Sequence, residues 1–170
     1  MAELTPKERL QPSLLDRLTD EEPDRKQESR ERRIISPQRL RESVRRDLTW
    51  LFNTTNMTAL HPVDGYEHAE RSTLNFGIPD FTGRTAGSIN PQLLERELRT
   101  AIWDFEPRLN KDSVRVKLIV DRERMNHNAM CFSIEAELWA QPIPLRLFLR
   151  TDLDLETGEA VVEDSGGDSE

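Results

Sequence analysis

The chain has 170 residues, of which 35% are hydrophobic and 33% charged, with a formal net charge of −8. This amounts to one domain with a small core and much solvated or partner-facing surface, which argues against a large globular enzyme core. The single cysteine, Cys131, excludes an internal disulfide, and no run approaches the ~18 apolar residues of a membrane span.

The first residues, Met1-Ala2-Glu3-Leu4-Thr5, carry no apolar signal run, so the expectation is a soluble cytoplasmic protein without direct membrane insertion. Leu14, Leu15 and Leu18 form a short apolar ridge behind a candidate N-cap, Ser13. A ridge that short cannot hold itself in water, so it must dock on the domain or on another chain. From Asp20 to Arg33 apolar residues are nearly absent, and the segment reads as a charged tether. Arginines crowd residues 25–46, but Glu21, Glu22, Glu28, Glu31 and Glu42 are interleaved with them. A solvated helix and linker explain that mixture better than a nucleic-acid surface, which presents an unmixed basic face.

Ser36-Pro37 predicts a helix start, with serine as cap and proline at the first helical position. Leu40, Val44, Leu48, Leu51 and Phe52 then fall on one face, and Asn53 to Asn56 end the helix. Residues 56–72 read as a loop, and Leu74 to Ile78 as a short strand whose Gly77 permits close backbone approach. Asn90-Pro91 predicts a second helix, striped by Leu94, Leu98, Ala101, Ile102 and Phe105. Pro107 disfavours helical geometry at Glu106, which stops this helix near Phe105.

Beyond it the period changes to two. Val114 to Val120, Met130 to Leu138 and Leu145 to Leu155 alternate as half-buried strands. Asn126-His127-Asn128 supplies the first turn, and Pro142 and Pro144 keep the second connection out of the ladder. An antiparallel meander is the economical topology, with one face packed on the Leu94–Phe105 helix. Thr157-Gly158 turns the chain toward Val161-Val162, and Arg146 and Arg150 guard the last strand as an edge. The expected architecture is α+β: two main helices on a small, mostly antiparallel sheet, with a short N-terminal helix on a tether. Its parts are an extension over 1–33, a domain over 34–162 and a disordered acidic tail over 163–170.

No His or Cys pair has metal-ligand spacing, no glycine-rich phosphate loop is present, and Cys131 lacks a neighbouring base. No metal, cofactor or catalytic residue is therefore assigned. The one arrangement resembling an active site is Phe105-Glu106-Pro107-Arg108-Leu109. Glu106 in an apolar setting could be the general acid of a peptidoglycan-cleaving glycoside hydrolase, with Asp104, Asp80 or Glu135 as its second carboxylate. Arg108 opposes that reading, because a nearby guanidinium lowers a carboxyl pKa. The remaining alternatives are a fixed ion pair closing the helix, or two halves of a docking site stiffened by Pro107.

Glu106-Pro107-Arg108, the Asn75-Phe76-Gly77 loop, Leu14-Leu15-Asp16-Arg17-Leu18 and the late Asp154 to Gly158 segment together resemble TssE, the baseplate subunit of type VI secretion. That family is similar to the wedge component of contractile-tailed phage baseplates once labelled lysozyme-like. The resemblance covers about residues 12–162. It implies a non-enzymatic baseplate component at the inner face of the cell envelope, bound to TssF and TssG and linked to the TssB/TssC sheath, whose polymerisation it starts. It further implies partner contacts at Glu106, Pro107, Arg108, Leu14, Leu15 and Leu18, and a structural role for Asn75, Phe76 and Gly77.

Overall fold

A computed structural model of the chain describes residues 13–19, 36–59, 61, 66–119, 128–139 and 144–166. The expected tether, Asp20–Arg33, the turn residues Asn126 and His127, Pro142 and residues 167–170 lie outside these.

Helix α1 (Leu14–Leu18) opens on Ser13, whose hydroxyl accepts from Asp16 N–H. Helix α2 (Pro37–Phe52) begins as its sequence requires: Ser36 Oγ accepts from Arg39 N–H at 3.2 Å, Pro37 sits at the first position, and Asn53 closes the end. A single turn, α3, covers Glu67–Glu70. Helix α4 (Pro91–Phe105) is capped by Asn90, which accepts from the N–H groups of Gln92 and Leu93, and it stops at Phe105 as Pro107 demands. The strands are β1 (Arg115–Ile119), β2 (Ala129–Leu138), β3 (Leu145–Asp154) and β4 (Ala160–Asp164). They form one sheet in the order β1-β2-β3-β4, antiparallel throughout.

The fold is thus α+β, with both long helices on one sheet face: α4 lies along β1, and α2 along β4 and part of β3. Ile134 and Ala136 of β2 stand opposite Leu149 and Leu147 of β3, with Phe132 and Leu138 buried on the same face, and the stripes of α2 and α4 close over them. The period-two and period-3.6 faces of the sequence meet in this single core.

Three expectations need correction. Leu74 to Ile78 is not a strand: Thr73–Asn75 is a 3-10 turn, and only Ile78 bridges, parallel to Thr55. Ser72 Oγ accepts from Leu74 N–H, and Asn75 bonds the backbone at Thr58 and Glu70; such local side-chain bonds outcompete a ladder. Second, β3 is not the last strand, and it stays an edge only at its start. Gly158 at φ 77 turns the chain back, with Gly158 N–H donating to Asp154 O, and β4 pairs with β3. Arg150 therefore stands opposite Glu163 inside the sheet, while Arg146 lies past the end of β4, on the part of β3 that β4 leaves uncovered. Third, Glu163 and Asp164 belong to β4, paired with Arg150 and Leu149, so ordered chain extends past the expected start of the tail.

Candidate functional site

The bracket lies where three helices converge. Glu106 caps α4, with its N–H donating to Ile102 O, and Leu109 bridges Leu138 at the end of β2. The turn is held on both sides, and Pro107 stands exposed at its apex. Glu106 is only 4% exposed. Arg108 Nε donates to Glu106 Oε1 at 2.7 Å, Arg108 Nη2 reaches Oε2, and Arg108 N–H adds a third bond to Oε1. This fork-on-fork pairing satisfies a carboxylate that burial would otherwise make costly.

The guanidinium does more than pair with its own glutamate. Nη1 donates to Ser43 Oγ at 2.9 Å, and Nη2 also meets Asp47 Oδ2. Burial pulls the Arg108 pKa down, but its bonds to the Glu106 and Asp47 carboxylates and their charge outweigh it, and the net direction is up. Ser43 in turn donates to Asp16 Oδ2 of α1 at 2.7 Å, and Arg46 bridges Asp16 and Asp47 at 2.6 and 2.9 Å. Burial raises the Asp16 pKa, but hydrogen bonds from Ser13, Arg46 and Ser43 bring it down to about 2.

Beside this network runs an open groove of about 520 Å³, walled by Leu15, Trp50, Phe76, Phe105, Pro107 and Arg108. Trp50 is 51% exposed, with the Arg46 guanidinium 5.1 Å from its ring centroid. The Asn75-Phe76-Gly77 loop builds one wall. Buried Asn75 accepts from Thr58 N–H and hydroxyl and donates to Glu70 O, while Phe76 stands edge-on to Phe105 at 5.3 Å. Gly77, at φ 125, lets this loop touch the end of α2; a Cβ there would sit 2.2 Å from Thr54 O.

The structure therefore gathers Leu15, Phe76, Glu106, Pro107 and Arg108 around one groove, with Asn75 buried behind Phe76. Leu14 and Leu18 point away from it, 70% and 74% exposed. What fastens α1 is the Asp16 carboxylate together with Leu15, not Leu14 or Leu18. The carboxylates considered as partners for an acid catalyst are elsewhere: Asp104 pairs with Arg71 at 3.0 Å, Asp80 accepts from Thr82 N–H, and Glu135 is exposed on the outer sheet face. Burial pushes the Cys131 thiol up to about 11, away from nucleophilic use. Among the described residues no group of His, Cys, Asp and Glu could hold a metal ion, and no helix is long and apolar enough to cross a membrane.

Reading the sequence missed Ser43, Asp47 and Asp16. A signal was present: Ser43 follows Leu40 by three and Asp47 follows Val44 by three, so both sit on the flank of the α2 stripe.

The helices also decide which backbone edges are open. Asp154 N–H bonds Glu159 O and Ser165 N–H bonds Phe148 O, so antiparallel alternation turns Ala160 and Val162 outward from β4. Asn53 closes both groups of Ala160, accepting its N–H and donating to its C=O, and Arg45 donates to Val162 O. Past the end of β4, Arg41 donates to Arg146 O. Arg41, Arg45 and Arg46 of α2 are thus committed within the chain. On β1, outward Leu118 N–H donates to Glu95 of α4, whereas Val116 on the same edge has no backbone partner among the described residues.

No curated protein and no solved structure matches the chain. The sequence profile of the family described as baseplate wedge protein gp25 matches residues 38–143, from the first turn of α2 through the bracket and β2. The fold, the bracket and this match agree, and the chain belongs to the baseplate wedge protein gp25 family.

Proposed function

We propose that this chain is a non-enzymatic structural subunit of a type VI secretion baseplate, of the TssE kind, seated in the cytoplasm against the cell envelope. The bracket and its groove would grip the TssF/TssG wedge, and the sheet would offer the TssB/TssC sheath its first strand-pairing surface. Membership of a baseplate wedge family supports the structural role. The observation that carries the reading is the bracket's chemistry: both Glu106 oxygens accept from Arg108, which suits a rigid contact point and not proton delivery to a leaving group. Pro107 is left exposed at the apex, beside an apolar groove, as a docking surface requires. For strand addition the edge accounting favours β1, since Asn53 and Arg45 take up Ala160 N–H and the Ala160 and Val162 carbonyls of the β4 edge.

Two assays separate this reading from a peptidoglycan hydrolase. The purified chain should leave cell-wall substrate uncleared, and clearing that is lost in Glu106→Gln would overturn the structural reading. From cells that carry the baseplate, the chain should bring down TssF and TssG. Their absence from the captured material would remove the assigned partners.

A further inference from the structure

The polar side chains around Arg108 form a closed ring. Ser43 Oγ donates to Asp16 Oδ2 at 2.7 Å, and Asp16 Oδ1 accepts from Arg46 Nη1 at 2.6 Å. Arg46 Nε donates to Asp47 Oδ1 at 2.9 Å, and Asp47 Oδ2 accepts from Arg108 Nη2. Arg108 Nη1 completes the ring by donating to Ser43 Oγ at 2.9 Å. Asp16 and Arg108 lie on opposite sides of it, joined by two independent routes. One belongs to α1 and the other to the bracket.

Each part of the ring constrains the next. A hydroxyl has one proton and two lone pairs. With its proton spent on Asp16, the buried Ser43 hydroxyl offers only lone pairs to the guanidiniums, which polarises the bond to Arg108. Helix α1 has five residues, too few to be stable alone, and its leucines Leu14 and Leu18 are exposed. Its attachment is the Asp16 carboxylate together with Leu15 at the groove wall. Loosening the ring at either side therefore loosens the other.

We propose that α1 and the Glu106–Arg108 bracket are one coupled unit, joined through Ser43 and through Arg46–Asp47, so that docking α1 tightens the Arg108 fork and a taut fork holds α1. Linkage makes the effect reciprocal: a partner that engages the exposed Leu14/Leu18 ridge changes the affinity of the bracket, and one that draws on Arg108 changes the docking of α1. The inference concerns the free chain and stands whichever partner occupies the groove.

The test is proton exchange by NMR in the full-length chain, read at two sites. Thr19 N–H, which donates to Leu15 O at 3.0 Å, reports on α1, and Arg108 Nε–H, 2.7 Å from Glu106, reports on the bracket. Asp16→Asn should speed exchange at both sites by about fivefold or more, the lower end of typical couplings. Arg108→Lys should speed Thr19 exchange by a similar factor. Arg71→Gln, which loses an ion pair to Asp104 outside the ring, should leave Thr19 unchanged and so marks general loosening. Faster exchange at Thr19 alone in Asp16→Asn, or an unchanged Thr19 in Arg108→Lys, overturns the proposal. Should Arg108→Lys fail to fold, Ser43→Ala takes its place with the same expected and contrary results.

Discussion

Arg108 serves three acceptors on two elements at once: Glu106 at the end of α4, and Ser43 and Asp47 on α2, the first of which passes the contact on to α1. Taking it away leaves the Glu106 carboxylate, 4% exposed, without its counter-charge. Arg108→Ala should therefore cost about 3–5 kcal/mol of stability in denaturant unfolding. Glu106→Ala with Arg108→Ala removes both charges and should cost less than the single arginine change. A double variant less stable than Arg108→Ala would show that the pair is not the main debt at this site. Gly77 is the other sensitive residue. Gly77→Ala meets both a φ of 125 and a contact of 2.2 Å with Thr54 O, and should lower stability by about 2 kcal/mol or more. The sequence made both residues conspicuous and left open whether Glu106 and Arg108 pair or dock. Adjacency along a chain fixes neither the rotamer of an arginine nor the elements that fold back against it. Ser43 was harder to see, because a serine flanking an apolar stripe is chemically unremarkable until a guanidinium is placed over it.

Helix α2 acts as a support for the core on one side and as a strap over the sheet edge on the other. Its stripe packs on β4, while Arg45 and Asn53 bond three outward backbone groups of that strand, Ala160 N–H and the Ala160 and Val162 carbonyls. Asn53→Ala should expose the Ala160 N–H, raise its exchange rate and make the chain more prone to self-association in sedimentation; an unchanged Ala160 rate would contradict the strap. Helix α1 should respond to acid. The Asp16 pKa falls from its ordinary 3.8 to about 2 on folding. The stabilisation it gives is fully present above the ordinary value and is lost as pH falls toward about 2. Thr19 exchange should rise between those values in the wild type and show no such step in Asp16→Asn. At this scale the sequence was most legible where the period was strong: α2, α4, β2 and β3 follow their stripes nearly residue for residue. It misled where side-chain hydrogen bonds set the backbone, as at Asn75, and where a five-residue strand, β4, offered too short a pattern to assign.

For the molecule as a whole, the core and the proposed docking groove share their parts. Phe76, Phe105 and Leu15 line the groove, while the α4 and α2 stripes that carry the bracket also seal the sheet. Variants that break the Arg108 fork would thus confuse lost docking with lost stability. The clean probe is a groove wall that the core does not need, and Trp50, 51% exposed, is such a wall. The direct measurement is capture of full-length wild-type chain and Trp50→Glu from cells carrying the baseplate, with unfolding curves of both run alongside. The account expects wild-type chain to bring down TssF and TssG, and Trp50→Glu to lose them at least tenfold while unfolding within about 0.5 kcal/mol of wild type. Undiminished recovery of both subunits with Trp50→Glu, its fold intact, would contradict the claim that this groove grips the wedge.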